Sequence, residues 1–361
     1  MITGSAGLIP DQNHSQRDTR KSTMARIGLL ASILSLALYV PIVSQADESV
    51  ENTLQIKNAI RKSLPLIETA SAGSARERKC FTCHNQALAV LVLDEARQRG
   101  FTIDESNFQL QVDHTRNHLK RGLENYRAGK GQGGGPDTAS YALWTLEMAG
   151  QTPDEVTKAV TGYLLERDKN HTHWNRNSTR PPSMSSDTNT SYFVIRALQT
   201  FGSESQQPEI TARITKARQW LLDLKPASTE ERAFQLRCFQ LLSIDNTIHQ
   251  TSVNELLKLQ NADGGWSQLP DMQSDAYATG TVLVALLRSH LVDADHGAIR
   301  KGIQYLIDTQ QQDGSWQVIS HAKPFQTYYE TGFPYGKDQF ISVTASSWAT
   351  VALLLTLPKV D

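Results

Sequence analysis

Apolar residues recur every three to four positions through most of the chain, and this helical spacing alternates with short turn segments. The clearest unit spans residues 256–287. Leucines at 256, 257 and 259 close one amphipathic helix, and residues 263–265 form a turn that tolerates positive φ. Asp275 stands where an N-cap would open a second helix. The pattern therefore predicts a helix, a turn and a second helix.

The same unit returns 50 residues later, where Asp313 takes the place of Asp263. A period of this length is typical of solenoid and toroid repeats. Alternating polar and apolar runs bounded by hairpin turns are missing, so we expect no strands. The predicted helix pairs are 50–68 with 85–99, 107–126 with 137–149, 154–167 with 187–201, 209–224 with 229–243, a helix ending at 259 with one opening at 275, and a helix around 305–309 with 343–357.

The two clearest turns read Gln-x-x-Asp-Gly-Gly-Trp, ending at Trp266, and Gln-x-x-Asp-Gly-Ser-Trp, ending at Trp316. They resemble the QW repeat of the squalene cyclase and protein prenyltransferase superfamily. The resemblance implies an all-α fold, an (α/α)6 toroid in which the second helix of each hairpin lines the centre. Closing the ring would bury the apolar face that a lone hairpin exposes. We expect both tryptophans to tuck against a neighbouring outer helix.

The N-terminal region has the pattern of an export signal. Residues 27–43 are apolar, follow a short basic start after Met24, and end in the small-x-small site Ser44 to Ala46. We therefore expect residues 1–46 to be a leader, with Met24 as an alternative start, and residues 47–361 to be an exported, periplasmic toroid. The alternative is an uncleaved anchor, the one case in which a membrane contact is expected.

Composition excludes one class of partner. The 361 residues carry a net charge of -1, and the basic residues are spread along the helices. No patch of the kind that binds nucleic acid is therefore predicted.

The first hairpin carries a different motif at its turn, Cys80-Phe81-Thr82-Cys83-His84. Two thiols at this spacing reach the two vinyl groups of one porphyrin, and the adjacent imidazole then ligates the iron. These five residues resemble the attachment motif of c-type cytochromes. The sequence therefore predicts one covalent haem c, with thioethers at Cys80 and Cys83 and His84 as proximal metal ligand.

Three other interpretations of the motif compete with haem. The first is a disulfide between Cys80 and Cys83, as expected of an oxidising compartment. The second is half of a zinc site, but the third cysteine, Cys238, stands alone in an apolar helix, so no zinc is expected. The third is chance.

The sixth ligand of a haem iron would come from another part of the ring. If six hairpins close, the long loop 317–340 of the last hairpin lies next to the first, which makes His321 the first candidate. Met184 and His173, in the matching loop of the third hairpin, are the next candidates. An open, five-coordinate iron is the alternative. The glycines at 131–135 are expected to leave room for a porphyrin edge.

The catalytic motifs of the related enzymes are missing. No Asp-x-Asp-Asp occurs, and Asp293-Ala294-Asp295 follows a second helix instead of opening one. Asp137, Asp187 and Asp275 recur where second helices begin, which N-capping alone explains. They are weak candidates for a general acid, because capping lowers a carboxyl pKa and the chemistry needs a raised one.

These observations leave three classes of function. The first is an exported haem toroid that acts as an electron carrier or as a redox or ligand-sensing module for a redox partner protein. The second is a terpenoid cyclase, a prenyltransferase-like enzyme or a terpenoid-binding protein without haem. The third is a periplasmic interaction scaffold. An apolar ligand in the ring centre is expected only if Trp144, Phe193, Phe239 and Trp348 leave a pocket there.

Overall fold

Helices joined by turns and loops make up the part of the chain that the computed structural model describes, residues 45–183, 185–323 and 327–360. A π-helical turn, Cys83–Ala87, leads into α2. Within these ranges the only β-pairing is two isolated bridges, Arg180 with Ser183 and Ser267 with Ser274. The helices are α1 (Gln45–Glu77), α2 (Leu88–Arg97), α3 (Glu105–Arg121), α4 (Leu123–Arg127), α5 (Gly135–Met148), α6 (Glu155–Glu166), α7 (Asp187–Phe201), α8 (Gln207–Asp223), α9 (Thr229–Leu241), α10 (Asn246–Lys258), α11 (Ala276–Arg288), α12 (Gly297–Thr309) and α13 (Gln339–Leu355).

The second helices of the hairpins form a closed inner ring. In chain order α2, α5, α7, α9, α11 and α13 each pack against the next, and α13 packs back against α2. The first helices lie outside them, and the first outer helix, α1, contacts the last, α12. The predicted all-α toroid of six hairpins is therefore confirmed.

Each repeat tryptophan braces the turn that carries it. The indole N–H of Trp266 donates to the Leu256 carbonyl at 2.8 Å, and that of Trp316 donates to the Leu306 carbonyl at 2.8 Å. These carbonyls lie in the last turn of the outer helix of the same hairpin, where carbonyls lack the usual i+4 helical partner. The ring of Trp266 also reaches the next outer helix, since a Cβ on Gly302 would lie 2.8 Å from it.

The repeat glutamine joins one hairpin to the next. Gln260 donates to a carbonyl of α12 at 2.8 Å, and Gln310 donates to the Ala59 carbonyl of α1 at 2.9 Å. In the same turn Gly314 has φ 96°, and a Cβ there would lie 2.5 Å from the Lys62 carbonyl. The last repeat turn therefore packs against α1, which closes the ring, and position 314 requires glycine.

A third tryptophan of this kind occurs in the third hairpin without the sequence motif. Trp174 donates its indole N–H to the Leu164 carbonyl at 2.7 Å. Arg213 of α8 takes the place of the bridging glutamine, because it donates to the Leu165 carbonyl at 2.6 Å and lies 4.4 Å from the Trp174 ring centre. The hydrogen bond from indole to helix carbonyl is thus present in the third hairpin although the repeat motif is absent there.

Aromatic side chains fill the centre of the ring. Trp144 lies 4.6 Å from Phe193 and 6.5 Å from Trp348, measured between ring centres. The fourth ring is Phe234, 6.5 Å from Trp348, and not the predicted Phe239. Both phenylalanines of α9 are buried, but the helix turns Phe234 towards the centre.

A buried arginine lies among these rings. The guanidinium carbon of Arg237 is 4.2 Å from the ring centre of Tyr192, 4.8 Å from that of Phe234 and 5.1 Å from that of Trp348. Arg237 is 3% exposed and donates to the Tyr192 hydroxyl at 3.2 Å. A resident cation therefore occupies the aromatic cage at the ring centre.

The first helix is longer than predicted. α1 continues to Glu77, beyond the predicted helix end at residue 68. Its small side chains Ala70, Ser71 and Ser74 are buried there, and a Cβ on Gly73 would lie 2.0 Å from the Thr331 carbonyl. Small residues here serve close packing and do not break the helix.

The predicted leader lies outside the described residues except for its last two, Gln45 and Ala46, which begin α1. Among the helices that are described, none combines the length and the apolar character needed to cross a membrane.

Candidate functional site

Two cavities lie where the inner helices begin, at one mouth of the ring. The first, of about 310 Å³, is lined by His84 before α2 and by Gln339 and Phe340 at the start of α13; we call it the His84 cavity. The second, of about 350 Å³, is lined by Glu230 in α9 and Tyr277 in α11; we call it the Glu230 cavity. Both volumes are at the lower end of the range for small-molecule sites, about 300–1,000 Å³.

Two segments, 180–182 and 320–322, contribute to both cavities. Arg180 lines the His84 cavity, while Pro181 lines the Glu230 cavity. Likewise Ser320 and Ala322 face the His84 cavity, and His321 between them faces the Glu230 cavity. The two segments are joined by a hydrogen bond of 3.3 Å from the His321 amide to the Pro181 carbonyl. Because neighbouring residues of each segment line different cavities, this pair of segments separates the two spaces.

Glu230 is a buried carboxyl with several hydrogen-bond donors around it. It is 5% exposed and accepts from the Ser185 hydroxyl at 2.7 Å, the Tyr277 hydroxyl at 3.0 Å and the Asn189 amide at 3.4 Å. Burial raises its pKa, and the hydrogen bonds from Ser185 and Tyr277 only partly oppose this. Glu230 therefore holds a proton more readily than an ordinary glutamate.

The local sequence explains why Glu230 faces inward. Ser228 accepts from the Glu231 amide at 3.2 Å, and the Glu231 carboxylate accepts from the Ser228 amide at 3.3 Å. This capping box fixes Glu231 at the helix start and leaves its neighbour Glu230 pointing into the mouth. Glu230 was not among the predicted site residues, although the capping box beside it is a sequence signal that points to its position.

The rest of the Glu230 cavity is mainly apolar. Besides the Tyr277 ring, its apolar wall comes from the two prolines of the separating segment, a loop before α11 and the first turn of α11: Pro181, Pro182, Leu269, Met272 and Ala278. A buried carboxyl of raised pKa thus faces an apolar space next to an aromatic ring.

Asp137, a predicted acid candidate, has a structural role. It lies inside the first turn of α5, whose N-cap position is held by Gly134, so it is not the expected cap. It accepts from the Thr190 hydroxyl at 2.7 Å, the Ser178 hydroxyl at 2.9 Å and the Asn177 amide at 3.0 Å. Burial nevertheless raises its pKa, contrary to the lowering that capping predicts.

Asp275 is the N-cap of α11, as predicted. It accepts from the Ala278 amide at 2.9 Å and from the Gln268 side chain at 2.6 Å. Its pKa is raised because burial outweighs these hydrogen bonds, so the expected lowering is wrong here too. Asp275 does not line either cavity, although His321 is close enough for its charge to act on this carboxyl.

Asp187 and His173 form a separate polar cluster. Ser186, and not Asp187, caps α7. Asp187 accepts from the Arg176 amide at 2.9 Å, and the His173 Nε2 lies 3.6 Å away. Burial would raise the Asp187 pKa, but the hydrogen bond from His173 and the contacts with Arg176 lower it. His173 stacks on Trp220 at 3.9 Å and lines neither cavity.

The three residues of the cysteine motif have different surroundings. Cys80 is exposed, Cys83 is 8% exposed, and His84 lines its cavity with its ring 5.7 Å from Phe340. Burial raises the pKa of Cys83 to about 12, so its thiol stays protonated at neutral pH. Burial, and next the charge of Arg180, lower the pKa of His84 to about 3, which keeps the imidazole neutral. Neutral imidazole is the form that ligates a metal.

The turn that follows the motif has an unusual backbone and an unpaired amide. Residues Cys83–Ala87 form the π-helical turn, a feature often found at functional sites. Asn85 is 1% exposed, and neither its Nδ2 nor its Oδ1 has a hydrogen-bond partner among the described residues. A buried amide without partners is unusual in a native protein and is consistent with a group not present here.

A haem fits this motif at two residues and needs a change at the third. His84 faces a cavity with aromatic and cationic side chains, and Cys80 is accessible. The Cys83 thiol lies in the core, where its charge would act on Tyr141, so a second thioether requires this side chain to turn outward.

The other predicted haem contacts are not assembled around His84. His321 lies on the far side of the separating segments, and Met184 lies outside the described residues. Within the glycine run the predicted space is open only at Gly133, and a Cβ on Gly131 would lie 2.6 Å from the Tyr163 ring. Asp137 lies near Cys83, close enough for its charge to act on that thiol.

Sequence comparison finds a match that begins within α9 and covers most of the last two hairpins. The family model of the squalene-hopene cyclase C-terminal domain matches residues 233–349. The squalene–hopene cyclase of Bradyrhizobium diazoefficiens is 31% identical over 101 residues, which are 25% of this chain and 14% of that enzyme. The chain thus covers a small part of its curated relative, and the motif at Cys80 lies outside the matched range.

Comparison of structures covers most of the chain. The type II terpene cyclase MstE from Scytonema, in complex with geranylgeranyl dihydroxybenzoate, has a TM-score of 0.53 and 12% identity over 85% of this chain and 100% of that one. The chain has the terpene cyclase fold. A protein from Actinoplanes shares this toroid with a TM-score of 0.51 and 11% identity, over 83% of this chain and 99% of that one. At these identities the terpene cyclase likeness establishes architecture, and activity has to be argued from the site.

Proposed function

We propose that this toroid binds an isoprenoid in the Glu230 cavity and that Glu230 donates a proton to one of its double bonds. The observation that carries the proposal is a buried carboxyl of raised pKa on the wall of a mainly apolar cavity, next to the Tyr277 ring. The similarity of residues 233–349 to a squalene-hopene cyclase domain supports the choice of ligand class.

The chemistry follows from the groups present. The alkene π electrons take the Glu230 proton, a C–H bond forms, and a carbocation and a carboxylate result. The Tyr277 ring would stabilise the cation, and hydrogen bonds from Ser185 and Tyr277 would stabilise the carboxylate. Loss of a proton from a carbon next to the cation to water, followed by return of a proton from solvent to the Glu230 carboxylate, completes a cyclisation or isomerisation with no net change in protons.

Two features support a location of this chemistry at the mouth and not at the centre of the ring. Arg237 already fills the central aromatic cage, and a second cation there would be repelled. Asp293, from the nearest sequence to an Asp-x-Asp-Asp acid, follows the C-terminal end of α11 and so lies at the other end of the inner helices from Glu230.

The test is product formation from unsubstituted prenols and squalene, followed by gas chromatography and mass spectrometry. Glu230→Gln keeps the shape of the side chain and removes its acidic proton, so product should fall by about a hundredfold or more. Glu209→Gln, on the exposed start of α8, is the matched control and should not change the rate. Unchanged turnover in a folded Glu230→Gln protein would refute the proposal.

A covalent haem at Cys80, Cys83 and His84 is the second candidate, favoured by the neutral His84 imidazole and the orphaned Asn85 amide beside it. His84 would ligate the iron, and the group would supply one-electron chemistry or ligand binding at the metal. Together with the predicted export signal, this supports a role as an electron carrier or as a redox or ligand-sensing module with a redox partner protein.

Haem attachment is tested by export from a host with a cytochrome c maturation system. We expect a Soret band that survives acid–acetone extraction and is lost in the Cys80→Ser, Cys83→Ser double variant. Cys238→Ser, which changes the buried cysteine of α9, is the control and should keep the colour. A colourless, folded wild-type protein would exclude this candidate and leave the isoprenoid proposal standing.

A further inference from the structure

We propose that the His84 cavity binds an amphipathic carboxylate, with Arg180, Lys323 and Lys337 holding the acidic group and the aromatic wall holding the apolar body. The inference goes beyond isoprenoid binding, because it concerns the other cavity. It also stands without a haem, since none of its binding residues belongs to the cysteine motif.

Charge carries the first part of the argument. The cavity lining contains three cationic side chains, Arg180, Lys323 and Lys337, and one carboxylate, Asp338. Asp338 is 7% exposed and accepts from the Ser320 amide at 3.0 Å, so it belongs to the wall. These side chains give the lining an excess of two positive charges, three minus one. A concave site with this excess favours anions.

The wall of the cavity is fixed by its own contacts. The Tyr329 ring lies 4.5 Å from the Arg78 guanidinium, and the Tyr329 carbonyl accepts from the Gln339 side chain at 2.9 Å. The Gln339 oxygen in turn accepts from the Thr331 amide at 3.0 Å. Because these polar groups are satisfied by one another, the site presents a preformed surface to its ligand.

The apolar part of the ligand has a matching surface. The Phe340 ring packs beside His84, and Tyr328 and Tyr329 also line the space. Aromatic rings next to lysine and arginine side chains suit a molecule with a carboxylate at one end and an apolar body at the other. Two sources offer this chemistry: a free organic acid, or the propionates of a porphyrin attached at the neighbouring cysteines.

The experiment uses the Cys80→Ser, Cys83→Ser protein, which cannot attach haem, and the fluorescent fatty acid cis-parinarate with its methyl ester as uncharged control. We expect the acid to bind about tenfold more tightly than the ester, with an affinity that falls as salt rises. Lys337→Gln should weaken acid binding by about threefold to tenfold and leave ester binding unchanged. Lys301→Gln, on the exposed outer surface of α12, is the matched control and should change neither.

Two results would overturn the inference: equal binding of acid and ester, or acid binding that is unaffected by Lys337→Gln in a folded protein. Metal-free protoporphyrin then separates the sources. Displacement of parinarate by protoporphyrin would assign the site to porphyrin carboxylates, and failure to displace would assign it to free acids. Product formation with Glu230 intact is measured in parallel, so that a failure here is not confused with a failure at the other cavity.

Discussion

Replacing Trp316 by alanine tests the contact by which the last hairpin is held closed. The side chain is 1% exposed, and its indole N–H donates to the Leu306 carbonyl at 2.8 Å. Truncating a buried tryptophan costs about 3–5 kcal/mol, and leaving that carbonyl without its partner adds about 1 kcal/mol. We therefore expect Trp316→Ala to lose about 4–6 kcal/mol, a large part of the about 5–15 kcal/mol typical of a whole domain.

The assay is urea unfolding followed by far-ultraviolet circular dichroism, which does not depend on tryptophan emission. Trp316→Phe keeps most of the buried ring and should lose about 1–2 kcal/mol. Trp220→Ala is the control, because Trp220 is only partly buried on α8 and should cost less than Trp316→Ala. A loss below about 1 kcal/mol for Trp316→Ala, with an unchanged urea dependence, would refute the reasoning.

Three further predictions follow from single residues. Because the Glu230 pKa is raised above 4.5, the stability that Glu230 contributes is fully present below that pH and is lost as the pH rises through the folded-state pKa. The free energy of unfolding of wild type relative to Glu230→Gln should therefore fall with rising pH, and a pH-independent difference would contradict the raised pKa. Gly314→Ala should lose about 1–3 kcal/mol in urea unfolding, because φ is 96° and a Cβ would meet a backbone carbonyl of α1, whereas Gly133→Ala, with open space at that position, should cost less. In haem-free protein at neutral pH, Cys80 should react with iodoacetamide while Cys83, with a pKa of about 12 and a buried thiol, stays unmodified by mass spectrometry; equal labelling would contradict this.

Helical periodicity and turn residues predict the architecture well because both are local. The predicted span 187–201 coincides with α7, and the two repeat turns lie where Trp266 and Trp316 brace the ring. The third brace, at Trp174, could not be read from the motif because an arginine of another hairpin supplies the bridging contact.

The site was less predictable because it depends on burial and on side-chain direction. Asp137 and Asp275 have raised pKa values, since tertiary burial outweighs the local hydrogen bonds from which a lowering was expected. Glu230 was not predicted as a site residue because its burial comes from contacts with Ser185 and Tyr277, which are distant in sequence. The loop residue His321 lines one cavity, while its neighbours Ser320 and Ala322 line the other. No periodicity in the sequence predicts that side-chain direction.

The location of a bound isoprenoid tests the central claim most directly. Crystals grown or soaked with farnesol should show ligand density beside Glu230 and Tyr277, with the carboxyl of Glu230 within about 3 Å of a ligand double bond, as proton transfer requires. Density in the ring centre between Trp144 and Phe193, with Arg237 displaced from its aromatic cage, would contradict the account.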